Sequence, residues 1–172
     1  LFLTPVDWKN RKFTISWNEA VKIDWGTIIL FGGGLSLGGL MFSTKLADFI
    51  GNILLKITGV DTLWGITAVA IGLAIITTEV TSNTATANML VPLMISVSKT
   101  AGVSGIPPAI GVCLGASMAF MLPVSTPSNA IVYGSGRVPI TSMIRAGIVM
   151  DIISFFVILT GLRILCPLLG LI

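Results

Sequence analysis

The chain has 172 residues, of which 54% are hydrophobic and only 10% charged, with a formal net charge of +3. A soluble domain carries about 25% charged residues, so the composition excludes a surface made for water and points to an all-α, multi-pass protein of the cell membrane with the lipid bilayer as its solvent. Nucleic-acid binding is argued against by the small net charge, and with no His and two widely separated cysteines, Cys113 and Cys166, neither a zinc site nor a Cys/His nucleophile system can be assembled.

Both cysteines are expected as small buried residues. The chain opens Leu-Phe-Leu-Thr-Pro, without an initiator Met or a charged region before an apolar stretch, which is expected of an internal start of a longer polypeptide without a signal peptide. Residues 1–24 carry Lys9, Arg11, Lys12 and Lys22 against Asp7, Glu19 and Asp24, a basic flank that the positive-inside rule assigns to the cytoplasm. An uncharged run from Trp25 to Thr44 follows, long enough for one spanning helix. Its glycines, Gly32, Gly33, Gly34, Gly38 and Gly39, either allow close helix contact or mark a break that frees backbone carbonyls. Next, Leu46, Phe49, Ile50, Ile53, Leu54 and Ile57 recur at helical spacing opposite Lys45, Asp48, Asn52 and Lys56, the pattern of an amphipathic helix lying in the membrane interface.

From Thr62 to Ser98 the one charged residue is Glu79, and polar residues gather at Thr77–Thr84. The cluster splits the run in two, and its second piece, Ala85 to Ser98, would reach about 21 Å at 1.5 Å per residue, short of a hydrocarbon core of about 30 Å. A re-entrant helical hairpin is therefore expected, with its tip near Ser82 and Asn83. The run from Thr100 to Gly136 is interrupted at Leu122–Asn129, where Pro123 and Pro127 remove amide donors and disfavour continuous helix. A discontinuous transmembrane helix is the expectation. Arg137 and Arg145 supply a second basic loop, and a last apolar stretch runs from Ala146 with Asp151 and Arg163 near its ends. One span out, a hairpin returning to its own side and one broken span inward bring both basic segments to the cytoplasm.

Ser82-Asn83-Thr84-Ala85 and Ser128-Asn129-Ala130 share the order Ser, Asn, small residue, each ahead of an apolar helical segment. Ser and Asn are good N-caps, and capping alone would explain one copy. Two copies at two breaks within the membrane point further, because polar groups at that depth are costly unless they line a cavity. Two helix N-termini meeting there would attract an anion such as a carboxylate. The hydroxyls and freed carbonyls of Thr78, Thr81, Asn83 and Ser125 are hard oxygen ligands suited to sodium.

Together, Thr-Glu-Val-Thr-Ser-Asn-Thr-Ala at 78–85 and Leu-Pro-Val-Ser-Thr-Pro-Ser-Asn-Ala at 122–130 resemble the divalent anion/sodium symporter family of di- and tricarboxylate transporters, a likeness covering nearly the whole chain from the Gly-rich span onward. The resemblance implies one inverted repeat, the C-terminal half of a transporter. It divides the chain into a cytoplasmic loop (1–24), a scaffold helix with an interfacial helix (25–61), a transport domain (62–140) and a final span (141–172). It also implies that Ser82, Asn83 and Thr84 contact a substrate carboxylate, that Thr126 and Pro127 close the site, and that Thr78, Thr81, Asn83 and Ser125 hold the co-transported sodium ion. The implied partners are an N-terminal half with its own hairpin, carrying half of the substrate site and one sodium site, and a second copy in a homodimer. Ser125 and Ser128 stand where other members often carry Ala and Pro, a change that a backbone carbonyl ligand would survive. Glu79 is open to a structural or a coupling role.

The expected function is sodium-coupled symport of small dicarboxylates such as succinate, malate or fumarate by alternating access. A sodium-independent exchanger of the same fold is the close alternative, although no Lys, Arg or His stands near either motif to replace sodium's charge. An intramembrane enzyme using Ser82 or Ser128 lacks an evident base, so no enzymatic activity is expected. An ion channel would need a continuous wet path rather than two breaks converging on a closed site.

Overall fold

The computed structural model describes residues 5–7, 12–15, 17–22 and 25–172. They fall into two compact units, residues 1–32 and 33–172. In the first, β1 (Pro5–Asp7) pairs antiparallel with β2 (Lys12–Phe13), and α1 (Trp17–Ala20) follows. Expected as loop in an all-α chain, this stretch thus holds a small strand pair. Strands of three and two residues are too short to show alternation in a sequence. Lys9, Arg11 and Asp24 lie outside the described residues.

The remaining regular elements among the described residues are helices. α2 (Trp25–Ser43) carries the glycine-rich run without a break, and its residues from Gly33 onward belong to the second unit. Of the two readings of its glycines, close contact holds at Gly34, where an added Cβ would come within 2.6 Å of the Asn88 Cβ; Gly32, Gly33 and Gly39 have nothing within 4 Å. α3 (Leu46–Thr58) packs on α5 (Asn83–Thr100) at Gly51, where an added Cβ would stand 3.4 Å from the Val97 Cα, and through a hydrogen bond of 3.2 Å from the Ser96 hydroxyl to the Asp48 carboxylate. Its apolar residues Phe49, Ile53 and Ile57 stay exposed.

α4 (Leu63–Thr78) is the hub of the second unit. Thr62 caps its start, accepting from the Gly65 amide at 3.3 Å. On one side Ile66, Ala70 and Ala74 bury against Leu90, Met94 and Val97 of α5 and Val112 of α6 (Ile106–Gly115). On the other, Ile71 and Ile75 bury against Ile158, Leu162 and Cys166 of α8 (Ile140–Leu168). Gly111 and Gly115 let α6 approach: added Cβ atoms would stand 2.9 Å from Ile71 Cγ1 and 3.1 Å from the Ile71 carbonyl oxygen, contacts that side chains would hold apart.

Among the described residues α8 is the one helix long and apolar enough to cross a membrane by itself; a bent pair, Asp48–Thr58 with Leu63–Thr78 at 101°, passes only as a broken span. α5 runs for 18 residues, about 27 Å, rather than the 21 Å expected of Ala85–Ser98. Ser82 starts the helix two residues early, and it continues past Pro92 to Thr100. Polarity now argues against a full span more than length does, since its first six residues are Asn, Thr, Ala, Thr, Ala and Asn.

The second break is also longer than expected. α6 stops at Gly115 and α7 (Pro127–Gly134) starts at Pro127, leaving 116–126 non-helical, whereas the prolines marked only Leu122–Asn129. α8 begins at Ile140, so Arg145 sits on the helix rather than in a loop, and Asp151 lies near the middle of the helix rather than its end. Cys166 is buried as expected, but Cys113 is exposed.

Candidate functional site

The first break, residues 79–82, joins α4 to α5. Ser82 is the N-cap of α5, its hydroxyl accepting from the Ala85 amide at 3.2 Å. Asn83 is the first helical residue, and its side-chain Oδ1 lies 2.8 Å from the Thr78 hydroxyl, which also stands 2.7 Å from the Ala116 carbonyl oxygen. One hydroxyl proton cannot serve both acceptors, so three oxygens converge with a single hydrogen between them. Such a set is rich in acceptors and fits a cation. Thr81 is tied elsewhere, its hydroxyl 2.9 Å from the Thr77 carbonyl and 2.6 Å from the Thr86 hydroxyl. Thr84 is partly buried beside Asn83.

The second break is organised around a residue of the first. Glu79, only 2% exposed, sends its carboxylate across to residues 120–122. Oε1 accepts from the amides of Phe120 at 2.7 Å and Met121 at 2.9 Å, and Oε2 accepts from Leu122 at 3.0 Å. The Ser125 hydroxyl lies 2.9 Å from Oε2 and 2.8 Å from the Glu79 carbonyl. This is why helix is absent so early: these amides face a carboxylate from 41–43 positions away instead of the carbonyls of their own turn. It takes up the proton of the Ser125 hydroxyl but not its oxygen lone pairs, so the hydroxyl and the backbone carbonyl are both oxygens Ser125 can offer a cation.

α7 is capped by Thr126, whose hydroxyl accepts from the Asn129 amide at 3.3 Å and stands 3.0 Å from Ser128, with Pro127 as the first helical residue. The two Ser-Asn copies are therefore not equivalent: Ser caps the first helix, Thr the second. Thr before Pro is itself a helix-start signature, and it pointed to the cap more directly than Ser-Asn did. Asn129 donates to the carbonyls of Ala119 at 2.9 Å and Leu122 at 3.1 Å, bracing the break from inside.

The structure thus brings Thr78, Asn83, Glu79 and Ser125 into one hydrogen-bonded region with Ala116 and 120–122. Among the described residues no hydrogen bond joins Ser82, Thr84 or Thr81 to Thr126 or Pro127. Sequence reasoning missed the Ala116 carbonyl, which carries no side-chain signal, and left Glu79 open. It also passed over Asp151, which is 7% exposed and lies beside Glu79.

The profile of the family described as the sodium:sulfate symporter transmembrane region matches residues 2–172. A sodium-dependent dicarboxylate transporter, SdcS, of Staphylococcus saprophyticus is 38% identical over 168 residues, covering 97% of this chain and 32% of that protein. The SdcS of Staphylococcus aureus strain MRSA252 is 35% identical with the same coverage. An uncharacterized transporter of Haemophilus influenzae is 37% identical over 146 residues, 84% of this chain and 32% of that protein. The chain spans about a third of the length of these curated relatives.

Proposed function

Because the chain belongs to the sodium:sulfate symporter family, we propose that the protein of which it forms a part carries small dicarboxylates across the membrane with sodium. It is a multi-pass membrane protein, and its relatives are transporters rather than enzymes. In this reading sodium binds at the first break, where Thr78 Oγ1, Asn83 Oδ1 and the Ala116 carbonyl converge with one proton between them. That excess of acceptors is the observation that carries the proposal. Backbone oxygens of Thr81 and Ser125 complete the sodium site. The substrate carboxylate rests against the capped starts of α5 and α7, touching Ser82, Asn83, Thr84, Thr126 and Pro127, where unpaired amides and the helix dipole favour negative charge.

The proposal further holds that α4 and α5 form a re-entrant hairpin, that α6 and α7 are the halves of a discontinuous span, and that residues 62–140 move as a transport domain against the scaffold of 25–61, with 141–172 as a final transmembrane helix. The exposed apolar residues of α3 support an interfacial position for it. A second, inverted repeat supplies the rest of the site, and the transporter works as a homodimer, readings that rest on the family resemblance. Uptake of labelled succinate into proteoliposomes bearing the full-length transporter tests the core claim. Uptake should require an inward sodium gradient; equal uptake without sodium would replace symport with exchange.

A further inference from the structure

We propose that α3 is a binding site for anionic phospholipid: Lys45 and Lys56 hold phosphate headgroups of the cytoplasmic leaflet while Phe49, Ile53 and Ile57 enter the acyl chains beneath them. This rests on the interfacial position proposed above for α3 and adds the chemistry of what the helix meets there. α3 lies at 101° to α4, so where α4 enters the bilayer α3 runs along its surface. One side of α3 is taken by α5, through Gly51 and through Asp48, whose carboxylate accepts from the Ser96 hydroxyl. On the side away from Gly51, Leu46, Phe49, Ile53 and Ile57 form one exposed apolar stripe. Lys45 and Lys56, both exposed, are eleven positions or about three whole turns apart and therefore stand in line along the edge of that stripe.

Local structure would not choose lysine at the first of these positions. Lys45 makes the corner between α2 and α3 with φ at 59°, the left-handed region that glycine favours, and the corner at the other end of α3 does use a glycine, Gly59 at 63°. A cation at the start of α3 also opposes the helix dipole, which favours an anion there. Neither Lys45 nor Lys56 is in an ion pair among the described residues. Asp48 is engaged by Ser96, and the other acid of this segment, Asp61, lies past the Gly59 corner. Lys99, exposed in the last turn of α5, adds a third positive charge on the helix that α3 packs against. The apolar stripe alone would accept any lipid. The lysines select a net negative headgroup, each by about fivefold close to the surface, and free inorganic phosphate has no chains for the stripe to receive.

Quenching by brominated lipids in the full-length transporter tests the position and the preference separately. A fluorophore on Ile57→Cys, with Cys113→Ser and the other reactive cysteines replaced, is read in phosphatidylcholine vesicles holding a small share of either brominated phosphatidylglycerol or brominated phosphatidylcholine. Both lipids should quench, the phosphatidylglycerol more strongly by about fivefold or more, and high salt should remove the excess. With Lys45→Gly and Lys56→Gln added the excess should vanish, and with arginine at both positions it should remain. Glycine suits the backbone at 45, so the first of these variants removes the charge without disturbing the corner. Equal quenching by the two lipids with both lysines present, or an excess that survives their loss, overturns the anionic-lipid site and leaves α3 in the interface. Quenching by neither lipid takes α3 out of the interface and overturns both. The comparison of lipids with both lysines in place decides even if a lysine variant misfolds.

Discussion

Thr78 has a single hydroxyl proton and two oxygen acceptors within 2.8 Å, so either acceptor is freed without breaking the fold when a cation arrives. Asn83→Ala removes one of the converging oxygens. Losing a hydrogen bond to a charged group costs about 1.5–3 kcal/mol, or roughly ten- to a hundred-and-fifty-fold in affinity. Sodium titrations of uptake should show a loss of at least that size, with thermal stability close to wild type. Thr78→Val should lose sodium dependence similarly and Thr78→Ser should retain it, since the second keeps the hydroxyl. Glu79→Gln is expected to act on the fold instead. Its amide turns a donor toward backbone N–H groups that need an acceptor, and each buried donor left unpaired costs about 1–3 kcal/mol. Thermal unfolding of the variant in detergent should therefore fall below wild type even without substrate or sodium.

The contacts between helices are set by small residues at particular turns. Gly147→Ala on α8 would drive a methyl to within 2.6 Å of the Met121 Cα, whereas Gly161→Ala on the same helix meets nothing within 4 Å. The first should destabilise by about 1–3 kcal/mol and the second should be neutral or slightly stabilising, as paired thermal melts would register. The hairpin is checked by labelling. In a Cys113→Ser background, needed because Cys113 is exposed, a Ser82→Cys probe should react from one side of the membrane only and slow down with substrate; reaction from the bulk solvent opposite would make α4 and α5 full spans. The existence of both breaks was legible from polar residues and prolines clustered in apolar runs. Their extents were not. The amides of 120–122 are held by a carboxylate more than forty positions away, and no local pattern in Ala116–Met121 announces a partner so distant. Ser82 could be read as a cap from sequence because its acceptor role is local.

At the level of the whole molecule, α7 has no buried residue, and Ile131, Val132 and Tyr133 are exposed. So is much of the apolar surface of α8, including Ile152, Phe156 and Ile164. Lipid covers part of that surface, and the portion of a transporter beyond this third of its relatives' length is proposed to cover the rest. Liposomes containing residues 1–172 alone should therefore show no sodium-driven succinate uptake, while co-expression with the missing portion should restore it; uptake by the chain alone would contradict a site shared between repeats. Composition made the membrane setting plain at the outset, because so few charged residues leave no other solvent. Reading the apolar stretch from Ala146 puts Asp151 near a helix end, whereas the helix starts at Ile140.

Glu79 grips Phe120, Met121 and Leu122 by their main-chain nitrogens and not by their side chains, and this carries a consequence for how such a protein can drift. A saturation library across these codons should recover many amino acids of compatible size at each of the three, with proline the shared exclusion, because it alone deletes the nitrogen-bound hydrogen. At codon 79 the same library should recover almost nothing but glutamate: aspartate is one methylene too short for the reach, and glutamine presents the wrong polarity on one of its two tips. Recognition through the main chain thus leaves the gripped segment free to vary while holding the gripping residue fixed.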